Sequence, residues 1–509
     1  MKTIGTVEFT PPAVAASDGA HHARAAAGNT AVTNEAAGML RDALSGTAHI
    51  RRILLKAAAG AGKSYVLRQL VADAVAHPRC ARVVVTAFTN RQVHPLAARI
   101  GNVLGRDRVC LFVAEDRYAD VPVEAHANAT VVTGMSGIPH AADVVIATTD
   151  KLSGWGGSGI KKLLDHLGPA RNGQSPFDVL FVDEAWQLPH HKFDKIEAAA
   201  PITVGVGDVG QLPPFETGAN PWRGDPGYNP YRAWPTSIAD DNTTWSEELP
   251  AVWRPAAGHL GLWRTFYPEW AALDCVAAPA DRALALNGMR GAPAAIWRQV
   301  GTAVPTLLEV EGLPPAEAAD VDLPLMETVE WLLDRLFTRT FALEQRVYDA
   351  AGTPTRKTLT RRPATKRRSG DDPGDPLVAI LATRNQAVDD AETVVGRLRD
   401  KHGLTEADIV SSTVDSYQGQ TNGVTVAVHP LSGAAALDEF NSAFGRLAVT
   451  CTRATHGLLM VTRPGLDQLL GEAPARPGTP YGEPGNRHLP RQTHQRILAT
   501  FARGRLSVQ

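Results

Sequence analysis

The sequence predicts an α/β chain carrying two parallel sheets, and three observations predict it. A glycine-rich turn, LKAAAGAGKSYV at 55–66, follows the apolar run 53–55 and leads into a helix-period stripe of Val66, Leu67, Leu70, Val71 and Val75. Further β-branched runs at 83–85, 144–146, 179–182 and 202–206 alternate with helical stretches. A second set at 377–381, 424–428 and 458–461 repeats the pattern later in the chain. Near-continuous apolar strands alternating with helices describe parallel sheets covered on both faces.

The glycine-rich turn has the residues of a phosphate-binding loop. Gly60 and Gly62 allow a tight turn whose N–H groups approach phosphate oxygens, with Ala61 between them, and the helix expected near Lys63 points its positive end at the same place. Lys63 would reach the terminal phosphates of a nucleotide, and Ser64 would ligate Mg²⁺. The GxxxxGK[ST] pattern asks for glycine at position 57, where this chain has Ala57. Alanine fits there if its φ stays negative.

Each run of the first set ends in polar residues, the side on which parallel sheets bind ligands. These tips are Thr86 to Asn90, Thr148 to Asp150, Asp183-Glu184 and Gly207-Asp208. Asp183 is expected to hold the Mg²⁺ shell and Glu184 to polarise an attacking water, the division of labour that phosphoryl hydrolysis needs. Gln211, just after the last tip, is suited to sensing the γ-phosphate or orienting that water.

Composition bounds the partners. With 51 Lys and Arg against 53 Asp and Glu, the net charge of -2 means that any nucleic-acid contact must use a local basic track. Cys80, Cys110, Cys275 and Cys451 lie far apart without a CxxC pair, which argues against zinc modules and disulfide frameworks and fits a reducing cytoplasm. No run approaches the ~20 apolar residues needed to cross a bilayer, so a soluble chain, expected to be a monomer, follows.

Taken in order, TAFTNRQV at 86–93, DEAWQ at 183–187, GDVGQLPP at 207–214, TVDSYQGQ at 413–420 and GRLAVTCTRA at 445–454 resemble the motif set of superfamily 1 helicases. The nearest likeness is to the branch containing the nonsense-mediated-decay RNA helicase. The resemblance implies two RecA-like domains that enclose ATP and grip a single strand of DNA or RNA, with 5′ to 3′ travel. It implies that Trp253 stacks on the nucleotide base, that Arg254 and Arg453 reach its γ-phosphate, with Arg446 as the nearby alternative to Arg453, and that Gln386 and Gly419 also contact the nucleotide. It assigns Thr89, Asn90, Thr149, Thr413 and Gln418 to the nucleic acid.

Three stretches depart from the family. Ala36 and Ala37 stand where an adenine-reading glutamine is usual, Thr421 follows the QGQ where an acidic residue is usual, and Thr383-Arg384-Asn385-Gln386 replaces a PYxxQ stretch. Absence of the family's zinc-rich RNA-decay module leans the reading to DNA. An RNA helicase, a nucleotide-controlled binding switch and a protein-stripping translocase are the alternatives.

The remaining segments divide the chain as follows. Residues 1–32 read as a loosely ordered lead-in, 33–254 as the first nucleotide-binding domain, 255–376 as a helical insertion and basic linker, 377–465 as the second sheet domain and 466–509 as a Pro/Gly-rich tail. Aromatics at 215–245 are suited either to packing their own loop or to stacking on bases. The basic run RKTLTRRPATKRR at 356–368 reads as a solvated loop or a phosphate grip.

Overall fold

The computed structural model describes residues 7–14, 18–210, 230–238, 241–270, 272–318, 321–372, 374–438, 441–473 and 490–508. The chain divides into two compact units, one built on Gly28–Leu249 and the other on Pro250–Gly478 with Met1–Ala27 and Arg487–Gln509. The fold is α/β, with an eight-stranded parallel sheet in the first unit and a mostly parallel seven-stranded sheet in the second.

The first sheet contains β1 (Arg52–Ala57), β2 (Val83–Ala87), β3 (Val109–Phe112), β4 (Thr130–Val132), β5 (Val144–Thr148), β6 (Val179–Asp183), β7 (Ile202–Gly207) and β8 (Thr244–Leu249). Their order across the sheet is β4-β3-β5-β2-β6-β7-β1-β8, and every pairing is parallel. The central strands are buried along their whole length, as two-faced burial requires of β-branched runs. β3, β4 and β8 were not foreseen. β4 is only half-buried at the sheet edge, so it lacks the apolar run that marks the central strands.

Helix α1 spans His22–Ser45, α2 Lys63–Ala76 and α3 Asn90–Leu104. The start of α1 corrects the expectation of a loose lead-in up to residue 32. Its Ala-rich first turns lack a strong apolar period, yet alanine is the best intrinsic helix former. In α2 the stripe Val66, Leu67, Leu70, Val71 and Ala74 is buried, with Ala74 taking the place expected for Val75.

The second unit also carries an antiparallel sheet, Arg282–Asn287, Thr340–Tyr348 and Pro354–Arg361, where helix and a solvated basic loop were expected. Within the segment read as helical, the helix Leu323–Thr338 does form and buries the stripe Val329, Leu332, Leu333, Leu336 and Phe337. The basic run is tied into this unit. Lys366 donates to the carbonyls of Phe337 and Arg339 at 2.8 and 3.0 Å, closing the end of that helix, while Arg362 pairs with Asp371 at 2.5 Å. A cation at a helix C-terminus satisfies orphan carbonyls and complements the dipole.

The second parallel sheet runs Phe9–Thr10, Ala502–Ser507, Thr306–Glu311, Ala454–Thr462, Asn422–Val428, Val378–Ala382 and Ile409–Thr413, with only the first pair antiparallel. Ala502–Ser507 falls in the segment read from sequence as a Pro/Gly-rich tail. Ala502, Gly504 and Leu506 alternate inward with more exposed neighbours, and period two over six residues places the segment in the sheet. No helix among the described residues is long and apolar enough to cross a membrane.

Candidate nucleotide site

The phosphate loop leaves the end of β1 and enters α2. Ala57 is fully buried and is not among the residues with positive φ, so the expected glycine is not needed there. Gly60 and Gly62 do require it, with φ of 76° and 99°. Gly62 directly precedes the first helical residue, Lys63, so the dipole end of α2 faces the loop's own turn. The amide of Asn29 on α1 donates to the Ala61 carbonyl at 3.0 Å and braces the turn from outside.

Strand order brings two tips beside this loop. The Lys63 ammonium lies 3.4 Å from Glu184 Oε1 and 3.6 Å from Asp208 Oδ2. Glu184 follows β6, and Asp208 follows β7, the strand between β6 and β1. Glu184 sits in the left-handed region at φ 51°, a strained conformation for a non-glycine residue that turns its side chain back to the loop. Close approach to this turn is why position 207 is glycine: a Cβ there would lie 2.8 Å from the Ala185 nitrogen.

Asp183 is almost fully buried, and its Oδ1 accepts from the Glu184 N–H at 3.0 Å. Burial raises its pKa to about 7, with the neighbouring Glu184 charge adding to the rise and Lys63 opposing it. Glu184 Oε2 is buried without a hydrogen-bond partner. A buried carboxyl beside the phosphate turn and an unpartnered carboxylate oxygen fit a site that takes a divalent cation with a phosphate chain. Ser64 and Asp183 would hold the cation. Asp208 was legible only as a polar strand tip, because nothing in its local pattern says that it shares the lysine.

Thr89, Asn90 and Thr149 stand at the next tips, since β2 and β5 are neighbours with Ala87 opposite Thr148. Thr89 caps α3 in a reciprocal pair with Gln92, which also donates to Gln187 at 3.1 Å. Thr149 is buried, with its hydroxyl unpartnered. Gln211, Trp222 and Tyr228 lie outside the described residues. Among the aromatics of 215–245 that are described, Trp234 is buried and stacks on Phe193 at 4.1 Å, which is packing, and Trp245 donates to Glu35 at 3.2 Å.

The remaining expected residues belong to the second unit. Arg254 donates to the Thr452 carbonyl at 3.1 Å, and Arg453 donates to the Thr452 hydroxyl at 2.9 Å, so the two arginines meet at one residue. Arg453 also donates to the carbonyls of Val449 at 3.2 Å and Gln420 at 3.4 Å and is 1 % exposed. Arg446 is more accessible and pairs with Asp415 at 3.3 Å. The Trp253 ring packs on the cluster of Ala25, Ala26, Ala251 and Val276. Gly419, at φ 80°, and Gln418 lie in the turn between Ile409–Thr413 and Asn422–Val428, and Thr413 Oγ1 accepts from the Ser416 N–H at 3.1 Å. Gln386 is exposed in the first turn of the helix Asn385–His402.

No family model matches the chain, and no curated protein matches it. Among solved structures it is similar to the PRRSV helicase, with a TM-score of 0.35 and 14% identity over 84% of this chain and 56% of that one. It is also similar to the arterivirus nonstructural protein 10 helicase in complex with DNA, with a TM-score of 0.38 and 14% identity over 82% and 62% of the two chains. The same viral protein in a further crystal structure matches with a TM-score of 0.38 and 13% identity over 82% and 61%. The chain spans less than two thirds of the length of each.

Proposed function

We propose that the chain is a superfamily 1 helicase or translocase, two RecA-like domains that hydrolyse ATP with Mg²⁺ and act on single-stranded nucleic acid, DNA before RNA. The observation that carries the reading is Lys63, held at 3.4 and 3.6 Å from Glu184 and Asp208 at the mouth of the glycine turn. An ammonium shared between two carboxylates is balanced without nucleotide and can exchange one of them for a phosphate.

In this reading the loop N–H groups and Lys63 bind and orient the β- and γ-phosphates. The Glu184 carboxylate, with Oε2 unpartnered, orients the attacking water and takes its proton. When bound, Mg²⁺ neutralises charge on the phosphate oxygens. Motif order adds the nearest branch, that of the nonsense-mediated-decay helicase, and 5′ to 3′ polarity.

A second reading, a nucleotide-controlled binding switch, draws support from Arg453, whose guanidinium donates to three groups of its own unit. Phosphate release separates the two. The motor reading expects Mg²⁺-dependent turnover stimulated by a single strand, and absence of turnover with tight nucleotide-dependent strand binding leaves the switch. Unwinding of matched DNA and RNA duplexes with 5′ or 3′ overhangs decides strand type and polarity.

A further inference from the structure

The most exposed large apolar side chain among the described residues is Trp155, 98 % exposed on the turn Gly154-Trp155-Gly156-Gly157. The three glycines have φ of 62°, 67° and 75°, a conformation that other residues avoid, and a Cβ on Gly156 or Gly157 would meet nothing within 4 Å. The chain therefore carries the indole on a bare turn. Beside it lies a pocket of about 620 Å³, large enough for a nucleotide. Its walls come from the ends of three neighbouring strands: Phe112 closes β3, Thr133 follows β4, and the segment from Asp150 to Trp155 follows β5.

The charge of the lining is positive. Lys151, Lys162 and Lys195 stand against one carboxylate, Asp150, which is itself paired with Lys192 outside the pocket. Lys151 is committed to the wall, donating to the Thr133 carbonyl at 2.9 Å and lying 4.2 Å from the centre of the Phe112 ring, with Glu115 and Asp116 nearby. Lys162 and Lys195 are exposed at the rim.

We propose that this pocket takes an unpaired stretch of a nucleic-acid strand, with the Trp155 indole stacked on one base and Lys162 and Lys195 on its phosphates. The proposal rests on the function proposed above and adds a place on the first unit where the strand is held. An aromatic face with cations at its rim is the arrangement that binds single strands without reading sequence, because every base has a stacking face and every nucleotide a phosphate. Strand order also separates the pocket from the phosphate loop. β5 is four strands from β1, or about 19 Å at ~4.8 Å per strand, so both ligands fit on one edge of the sheet.

The test uses the full chain and a fluorescein-labelled oligothymidylate, read by anisotropy over a salt series. Trp155→Ala is expected to weaken binding about 10-fold and Trp155→Phe to restore most of it. The Lys162→Ala, Lys195→Ala double variant is expected to flatten the salt dependence by about one to two units of slope. Strand-independent ATP hydrolysis of all three should equal that of the wild type, which also reports that they are folded. If the wild type hydrolyses ATP and binds the strand while Trp155→Ala binds it equally well, this pocket is wrong and the proposed function stands. A wild type that hydrolyses ATP without binding oligothymidylate or oligouridylate overturns both.

Discussion

The two parallel sheets use buried charge in opposite ways. At the tips of the first, buried carboxylates gather on one cation: Lys63 lies between Glu184 and Asp208, Glu184 Oε2 accepts nothing, and burial beside Glu184 raises the pKa of Asp183. In the second unit Arg453, the most deeply buried of the arginines and lysines among the described residues, donates to three groups around it. Burial there also neutralises imidazoles, with His259 lowered to about 3, His494 to about 4, and His429 and His456 held well below the ordinary value. Burial alone therefore does not mark a site. Nor does an unpartnered buried polar atom alone, since Arg282 Nε and Arg361 Nε and Nη2 are buried without partners too; the first sheet adds carboxylates gathered on one lysine at a phosphate turn, where a ligand's charges can take over part of the pairing.

The largest expected effect breaks the first sheet's balance. Lys63→Ala should reduce phosphate release by about 10³-fold or more, since the phosphates lose their cation, and it should also lower the melting temperature by removing the cation between Glu184 and Asp208. A variant with normal turnover would remove the loop from the chemistry.

Arg453→Ala sharpens the contrast, because the resemblance and the hydrogen bonds predict different losses. As a phosphate-directed arginine it should cost about 10³-fold in kcat with little change in nucleotide affinity. If its role is confined to its own three bonds, unfolding free energy falls by about 1–3 kcal/mol and kcat per folded molecule holds. Measuring kcat beside a denaturation curve tells which. Glu184→Gln should retain nucleotide and lose about 10²–10³-fold in turnover. Hydrolysis at the parent rate would reassign the water-polarising role.

Acid should act on the second unit through His259. An unfolded histidine titrates near 6.5, so between about 6.5 and the folded value of about 3 for His259 the unfolded chain holds a proton that the folded chain does not. Stability is then at its full value above about 6.5 and declines as pH falls through that window. Thermal melts at about pH 7.5 and 5 should differ less in His259→Phe than in the wild type, and equal differences would dismiss this residue. The smallest effect belongs to Lys366→Ala, expected to cost about 0.5–1 kcal/mol through the carbonyls at the end of Leu323–Thr338, and a denaturant midpoint would detect it.

How much was legible follows the range of each interaction. The central strands, the stripe of α2 and the phosphate turn rest on local periodicity and on glycine's backbone freedom, and these read directly from residue order. Asp183-Glu184 was legible because an acidic pair follows an apolar run. The strand Ala502–Ser507 was not, since a six-residue alternation next to a helix carries too little signal until Thr306–Glu311 supplies its partner. The basic run reads as solvated charge in one dimension and becomes a helix closure only once Phe337 and Arg339 lie beside Lys366.

Residue order alone carries the central strands of the buried sheets, the turn that can cradle phosphate and the residue types at those strands' tips, because backbone propensity and burial period are properties of neighbours in the chain. Tertiary structure alone decided which tips meet. The order β6-β7-β1 gives Lys63 both Glu184 and Asp208, and the neighbouring β4-β3-β5 gather Phe112, Thr133 and Trp155 from three separate connections. Strand order depends on how all the helices cover the two faces at once, and no local pattern carries that information.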